Sequence, residues 1–381
     1  MDWSDEDTAV MGVRGGRSVK VVAGIGALLM SVVVGAASPA VAAPPAMAPA
    51  AVTVTRLAGA DRYATAAAIA RATFPTGPYL RTDVVVARGD AFPDALSAVN
   101  LTGARYGGPA ALLLTERDRL PAEGAAVVDA SHYIHGFIVG AADVVGDAVA
   151  DRVAAAQESS FVMRMGGADR YETNADVYRT AYDGEADVPA SVDGQRTALL
   201  VSGTSYADAI SAGPVASEER LPLLLSDPTT LSGTVEDIFS TNRDRGITQV
   251  VVVGGARAVS EQVVAQLEAM GLTVRRVAGA DRQATSVAMF DFAAQEFGWV
   301  PRDVTLVRGD DFADAVAGAT RSGRRHAPML LTTGPDDLGG AARAFLNTHA
   351  GEVSSLEVLG SQAAVSDAVV ADAVNACDPR R

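Results

Sequence analysis

The chain has 381 residues, of which 49% are hydrophobic and 20% are charged, and its formal net charge is −15. This composition excludes an intrinsically disordered chain, and the length suggests two to four domains. Lys20 is the only lysine, and the acidic balance argues against nucleic acid as a partner, because duplex binding depends on clustered Lys and Arg side chains that face the phosphates.

The first 42 residues have the layout of a secretory signal peptide. A positively charged segment that ends at Lys20 precedes an apolar run over 21–37, and the small residues at 40–42 are typical of a cleavage site. Four acidic residues among the first ten fit a signal peptide poorly, which indicates that translation begins at Met11. An uncleaved membrane anchor is the open alternative, because the apolar run is only slightly shorter than the roughly 20 residues that span a bilayer.

An Ala/Pro-rich linker over 43–52 follows and favours cleavage. Cys377 is the only cysteine, so an intrachain disulfide is impossible and core packing must hold the folded part together. We therefore predict a secreted protein, with no membrane contact after the signal peptide is removed.

One motif occurs three times in the rest of the chain. It reads R-L-A-G-A-D-R-Y-A-T from Arg56, R-M-G-G-A-D-R-Y-E-T from Arg164 and R-V-A-G-A-D-R-Q-A-T from Arg276. The spacing between copies is that of a domain and far exceeds that of a solenoid repeat. We predict three repeats, over 53–160, 161–272 and 273–377.

Three further motifs follow the first one in the same order in every copy. The second motif is G-D-A-F-P-D-A-L from Gly89, G-T-S-Y-A-D-A-I from Gly203 and G-D-D-F-A-D-A-V from Gly309. The third is an apolar run that ends at Thr115, Ser226 and Thr332, and the closing motif begins where Gly140, Gly254 and Gly360 end another apolar run. Four motifs in one order exclude a chance similarity.

Short apolar runs alternate with segments of helical periodicity. In the first copy, the runs at 84–87, 110–114 and 137–139 have strand length without alternation, which is typical of strands buried on both faces of a parallel sheet. The helical segments are 60–73, 93–105, 121–131 and 144–155. This alternation predicts three tandem Rossmann-like or flavodoxin-like α/β domains with parallel sheets.

Helix starts carry suitable capping residues. Asp61, Asp169 and Asp281 stand where the N-cap of the first helix is expected. Ser260 and Ser366 have the same position at the last helix of the second and third copies, where the first copy has Gly146, a weaker cap.

Together, the four motifs resemble the cell wall-binding repeat 2 family, and the resemblance covers about 54–376 in three copies. It implies a pseudo-threefold arrangement of the repeats within a monomeric chain. It also implies noncovalent binding to an anionic wall polymer, a polysaccharide or a teichoic-acid-like polymer, at the surface of a Gram-positive-type bacterium. Many family members carry a fused effector domain such as an amidase; the sequence leaves no room for one, so we expect an anchor without an effector.

Two departures from the pattern leave open whether the three sites are equivalent. Gln283 replaces the tyrosine of the other copies (Tyr63, Tyr171), and Ser202-Gly203-Thr204 replaces Arg-Gly-Asp.

An arginine recurs at the start of the first helix of every copy: Arg62, Arg170 and Arg282. A guanidinium fork suits bidentate contact with phosphate or carboxylate, so these residues are the first candidates for polymer binding. An equally supported alternative is that each arginine pairs with a carboxylate of its own or a neighbouring repeat and so fixes the arrangement of the repeats.

An aspartate recurs in the first turn of the next helix: Asp94, Asp208 and Asp314. Helix capping is the favoured role, because a carboxylate is stabilised there by the helix dipole. Contact with the polymer is the second interpretation, since the loops beyond the C-terminal ends of parallel strands form the usual ligand crevice.

Motifs for nucleotide binding, zinc hydrolysis and serine nucleophiles are absent: G-x-G-x-x-G, G-x-x-x-x-G-K-[ST], H-E-x-x-H and G-x-S-x-G. We expect no cofactor and no metal. Arg88-Gly89-Asp90 and Arg308-Gly309-Asp310 look like adhesion tripeptides, but they lie inside the repeated motif, so we interpret them as fold residues.

Two alternatives to polymer anchoring stay open. An amidase-like wall hydrolase could use Asp90 and Asp94 as acid and base, although the second copy has Thr204 in place of Asp90. A surface-layer or adhesion protein would instead assemble with copies of itself. We favour a binding protein over an enzyme.

Overall fold

The computed structural model describes residues 51–74, 82–103, 110–131, 133, 135–156, 161–182, 189–241 and 246–380. The predicted signal peptide, the Met11 start and the linker up to residue 50 lie outside the described residues. From Pro49 onward the chain forms one compact unit. No helix within the described ranges is long and apolar enough to cross a membrane.

Strands and helices alternate in every repeat. Repeat one contains β1 (Thr53–Leu57), α1 (Arg62–Thr73), β2 (Asp83–Arg88), α2 (Phe92–Ala98), β3 (Ala110–Thr115), α3 (Ala122–Ala130), β4 (His135–Val139) and α4 (Asp147–Ala154). Repeat two contains β5 (Phe161–Met165), α5 (Arg170–Tyr182), β6 (Ser191–Val192), β7 (Gln195–Ser202), α6 (Tyr206–Ala209), α7 (Gly213–Glu218), β8 (Leu223–Ser226), α8 (Gly233–Thr241), β9 (Gln249–Val253) and α9 (Glu261–Ala269). Repeat three contains β10 (Thr273–Val277), α10 (Arg282–Phe297), β11 (Asp303–Arg308), α11 (Ala313–Arg324), β12 (Met329–Thr332), α12 (Gly340–Thr348), β13 (Ser355–Leu359) and α13 (Asp367–Ala376).

The predicted buried strands are confirmed. The apolar runs at 84–87, 110–114 and 137–139 form β2, β3 and β4, and all the residues in these runs are buried. Among the described strands, every pair except the β6–β7 hairpin is parallel. The fold class expected from the sequence, tandem parallel α/β domains, is therefore confirmed.

Each sheet is completed by the first strand of the next repeat. β5 pairs with β4 of repeat one, and β10 pairs with β9 of repeat two. β1, at the start of the chain, pairs with β13 of repeat three, with Thr53 opposite Ser355 and Leu57 opposite Leu359. This exchange of strands links the three sheets into a ring. Each sheet therefore contains strands from two of the predicted repeats.

An arginine in each exchanged strand fastens it to the preceding repeat. Arg56 Nη1 donates to the carbonyl oxygen of Gly360 at 2.9 Å, and Nη2 pairs with Asp367 at 3.1 Å. The same two contacts join Arg164 to Gly140 and Asp147, and Arg276 to Gly254 and Glu261. The first residue of the first motif is therefore a structural arginine.

One hydrophobic core runs through all three repeats. The central helices carry small residues that allow close packing: a Cβ on Gly213 would lie 2.9 Å from that of Ala319, and a Cβ on Gly323 would lie 2.5 Å from the Pro214 carbonyl oxygen. A shared core and exchanged strands make the repeats parts of one folding unit.

The predicted helix caps are confirmed. Asp61 and Asp281 each accept a hydrogen bond of 2.8 Å from the backbone N–H three residues later, and Asp169 accepts from two N–H groups of its first turn. Ser260 and Ser366 cap α9 and α13, while Gly146 stands at the N-cap of α4.

Candidate functional site

Three aromatic rings from the second motifs meet near the C-terminal ends of the strands. Phe92, Tyr206 and Phe312 occupy the same position in each motif, and their ring centroids are 5.9 to 6.3 Å apart. Equivalent residues in mutual contact mark the pseudo-threefold axis that the resemblance implied. The loops after β2, β7 and β11 therefore converge on this axis.

Each candidate arginine is held by the second motif of its own repeat. The Nη1 atoms of Arg62, Arg170 and Arg282 donate to the carbonyl oxygens of Gly89, Gly203 and Gly309 at 2.8, 2.5 and 2.6 Å. This hydrogen bond uses one nitrogen of each guanidinium and holds the arginine side chain beside a neighbouring repeat.

Two of these arginines contact the preceding repeat. The Arg62 guanidinium lies 5.6 Å from the Phe312 ring centroid and pairs with Asp311 at 3.2 Å. The Arg282 guanidinium lies 5.6 Å from the Tyr206 ring centroid, a contact that contributes about 0.5–1 kcal/mol when exposed. The interpretation that these arginines fix the arrangement is thus supported, although Arg62 alone of the three has an ion pair among the described residues.

The candidate aspartates lie in the first turns of α2, α6 and α11, as predicted. The N-cap residues there are Ala91, Ser205 and Phe312, and within the described part of the chain no hydrogen bond reaches the carboxylates of Asp94, Asp208 or Asp314. They therefore do not cap their helices by hydrogen bonding, because the N-cap is the residue two or three positions earlier. Their predicted first-turn position, where the helix dipole stabilises a carboxylate, is confirmed.

Each aspartate instead faces the glycine that opens the closing motif of its repeat. A Cβ on Gly140, Gly254 or Gly360 would lie 3.1, 2.8 or 2.5 Å from Oδ2 of the facing aspartate. These glycines have φ of +124°, +108° and +104°, which side chains rarely adopt. The turn therefore admits only glycine, for both steric and conformational reasons.

Arginine and aspartate candidates from different repeats share cavities. Asp314 of repeat three and Arg62 of repeat one line a cavity of about 150 Å³. Asp208 of repeat two and Arg282 of repeat three line an equivalent cavity of about 300 Å³. Each combines a first motif with the second and closing motifs of the preceding repeat, a juxtaposition that the sequence did not predict.

Two of the candidate aspartates have a raised pKa. Burial raises the pKa of Asp94 to about 6, with Asp143 adding to the effect and Arg170 and Arg88 opposing it. Burial and the neighbouring Asp311 likewise raise the pKa of Asp314 to about 6. Asp94 and Arg170 therefore form the same type of pair between repeats one and two.

In each Arg-Gly-Asp tripeptide, the arginine pairs with the aspartate two residues later. Arg88 donates to Asp90 at 2.6 Å, and Arg308 donates to Asp310 at 2.7 Å. These internal pairs support the interpretation as fold residues. In repeat two the corresponding Ser202 hydroxyl accepts from the backbone N–H of Ser205 at 3.2 Å instead.

Sequence reasoning missed Arg257 in the closing motif of repeat two. Its side chain is exposed and lines the larger cavity. The corresponding residues in repeats one and three are Asp143 and Ala363. A comparison of the three closing motifs, position by position, could have found it.

The described residues contain no group of three or more His, Cys, Asp or Glu side chains with the geometry of a metal site. Asp90, proposed as a hydrolytic partner of Asp94, is occupied by its pair with Arg88.

Comparisons with known proteins agree with the repeat pattern. A family model described as cell wall binding domain 2 (CWB2) matches residues 56–150, 164–264 and 276–370. Among solved structures, Cwp8 and Cwp6 from Clostridium difficile superimpose with TM-scores of 0.70 and 0.69 at 20% identity. They cover 86% and 91% of this chain, which covers 52% of each of them.

Two curated proteins of Bacillus subtilis (strain 168) are also similar. N-acetylmuramoyl-L-alanine amidase LytC is 26% identical over 319 residues, which are 83% of this chain and 57% of the amidase. The amidase enhancer is 31% identical over 170 residues, 44% of this chain and 21% of that protein. The chain thus spans little more than half of the first relative and a fifth of the second.

Proposed function

Because the chain belongs to the cell wall binding domain 2 family, with three tandem copies, we propose that it is secreted and anchors itself noncovalently to an anionic secondary polymer of the cell wall. The observation that carries this proposal is the sharing of arginine and aspartate between repeats in equivalent cavities. Guanidinium groups supply bidentate donors for phosphate or carboxylate, and aspartates accept hydrogen bonds from sugar hydroxyls.

Three sites on one rigid ring suit a repeating ligand. Linked sites bind at a high effective concentration, so weak individual contacts add up to firm attachment along one polymer chain. The net charge of −15 repels an anionic polymer at long range. Attachment therefore depends on the local arginines, and the proposed partner of the monomeric chain is a polymer segment long enough to reach several cavities.

We place the chain among binding proteins and not among enzymes. The similarity to LytC covers 83% of this chain, and the three family matches occupy most of the same span. The carboxylates that a hydrolase could use are either paired with arginine, as Asp90 is, or buried against a glycine turn, as Asp94 is. Release of muropeptides by the purified protein would reverse this assignment.

Co-sedimentation with purified walls tests the proposal. We expect the protein to sediment with intact walls and to stay in the supernatant after the secondary polymers have been removed chemically. Arg62→Gln, Arg170→Gln and Arg282→Gln, combined, should weaken sedimentation strongly, whereas Arg302→Gln should not, because Arg302 is exposed at the opposite end of the strands. Parallel runs with EDTA show whether a bridging cation contributes.

Binding to neither preparation would reject polymer anchoring. Concentration-dependent assembly in the absence of walls would then favour the self-associating surface protein.

A further inference from the structure

The cavities between repeats differ in charge. The one between repeats three and one is lined by two arginines and three aspartates: Arg62, Arg308, Asp61, Asp311 and Asp314. The one between repeats two and three is lined by two arginines and two aspartates: Arg257, Arg282, Asp208 and Asp281. The difference arises at the positions where the repeats depart from one another in sequence.

Between repeats three and one, both arginines already have carboxylate partners. Arg62 pairs with Asp311 at 3.2 Å, and Arg308 pairs with Asp310 at 2.7 Å. An incoming anion would have to displace these carboxylates. The third aspartate, Asp314, is partly buried and adds to the negative potential when it is ionised.

Between repeats two and three, the residues that correspond to Asp310 and Asp311 are not acidic. Ser205 and Thr204 stand where repeat three has Asp311 and Asp310. Within the part of the chain that the structure describes, Arg282 therefore has no ion pair: it donates to the Gly309 carbonyl and lies over the Tyr206 ring. Asp310 interacts with it electrostatically, but that carboxylate is already paired with Arg308. Among the described residues, Arg257 makes neither a hydrogen bond nor an ion pair. Asp281 is the N-cap of α10, as Asp61 is the N-cap of α1 in the other cavity, so these two aspartates do not account for the difference in charge.

Between repeats one and two, the balance is acidic again. The position of Arg257 is taken by Asp143, whose charge helps to raise the pKa of Asp94. Arg170 therefore lies close to Asp94, and Arg88 is paired with Asp90.

We propose that the cavity between repeats two and three is the main anion site of the chain, and that Arg257 and Arg282 bind an oxyanion of the polymer, a phosphodiester or a carboxylate. This rests on the proposed function and deepens it, because it assigns unequal roles to the contacts between the three repeats. A volume of about 300 Å³ is at the lower end of the range of ligand sites.

Binding of defined oligomers tests the site. An immobilised glycerol phosphate oligomer, an oligogalacturonate and dextran separate phosphate, carboxylate and neutral ligands. We expect binding to at least one anionic oligomer and none to dextran. Arg257→Asp, which restores the charge of repeat one, should weaken it by about tenfold or more, since a charge-assisted contact is replaced by repulsion.

Two variants serve as controls. Arg302→Asp makes the same charge change at the opposite end of the strands and should leave affinity unchanged. Ala363→Arg introduces the missing guanidinium between repeats three and one and should raise affinity severalfold. Because Arg257 is exposed and has no partner among the described residues, its replacement should leave the urea midpoint unchanged.

Equal loss of affinity in Arg257→Asp and Arg302→Asp would overturn the site, and so would equal binding of dextran or failure to bind either anionic oligomer. Failure to sediment with walls would instead reject the proposed anchoring function. Arg257-dependent binding of an anionic oligomer would still support the anion site in that case.

Discussion

At the scale of single residues, Asp94 and Asp314 are carboxylates that we expect to lower the stability of the fold at neutral pH. Each carboxylate is partly buried, makes no hydrogen bond within the described part of the chain, and has its pKa raised to about 6 by desolvation. A protein rarely retains a desolvated carboxylate without a hydrogen bond for stability, because a neutral isostere of the same shape is less costly. Their presence in two repeats is consistent with a role in ligand contact.

Replacing Asp314 by asparagine is expected to stabilise the fold above pH 6. Because the pKa in the folded state exceeds the unfolded value, the native state binds more protons between pH 4 and 6, and its stability falls as pH rises through that window. Asp314→Asn removes this loss, so the free energy of unfolding should rise by about 1–2 kcal/mol at pH 7.5 and change little at pH 4. Urea denaturation at both pH values measures it.

Asp336→Asn, at an exposed position of the same repeat, is the matched control and should change stability at neither pH. If Asp314→Asn were less stable than the wild type at pH 7.5, the carboxylate would be making a favourable contact, and the interpretation of a strained site residue would be wrong.

At the scale of the elements, the turn that follows β4, β9 or β13 requires glycine at its first position for two reasons, a positive φ and a close carboxylate. Gly254 has φ of +108°, and a Cβ there would lie 2.8 Å from Asp208 Oδ2. Gly255 follows directly and has open space around its Cβ position. The turn therefore requires glycine at position 254 and not at position 255, although the two residues look equivalent in the sequence.

Gly254→Ala should lower the free energy of unfolding by about 2 kcal/mol, because alanine adds strain at positive φ and a clash with the aspartate. Gly255→Ala should be neutral or slightly stabilising. Chemical denaturation of the two single variants provides the comparison. Equal effects of the two substitutions would show that the turn tolerates a side chain at either position.

The sequence predicted the central strands of repeat one well, because continuous apolar runs such as 84–87 have no other stable place than a buried parallel strand. It did not indicate β1, β5 or β10. These strands mix arginine and exposed residues with apolar ones, and their first residues are exposed at the sheet edge. An edge strand with one solvated face has a weaker signal than a central strand.

At the scale of the whole molecule, the sequence predicted three repeats and singled out one arginine and one aspartate of each described cavity as candidate site residues, but it could not predict which repeat faces which. The pairing of Arg62 with Asp311 joins residues from opposite ends of the folded part. It depends on β1 closing the ring against β13. Local periodicity carries no information about contacts at such separation, and only the three-dimensional arrangement reveals that the sites are shared.

Removal of β1 tests whether ring closure holds the molecule together. A chain that starts at Gly59 lacks the partner of β13, leaves the Gly360 carbonyl and Asp367 without Arg56, and exposes an unpaired strand edge. We expect the urea midpoint to fall and the protein to self-associate in sedimentation velocity experiments, because a bare parallel edge recruits strands from other chains.

A chain that starts at Ala51 retains β1 and is the control, which should remain monomeric. A synthetic peptide of residues 51–58, added in excess, should restore the monomer and part of the stability, since it can occupy the vacant edge in the same register. If the shortened chain were monomeric and as stable as the control, strand exchange would be dispensable. The repeats would then be joined by their shared core and by the arginine contacts around the pseudo-threefold axis alone.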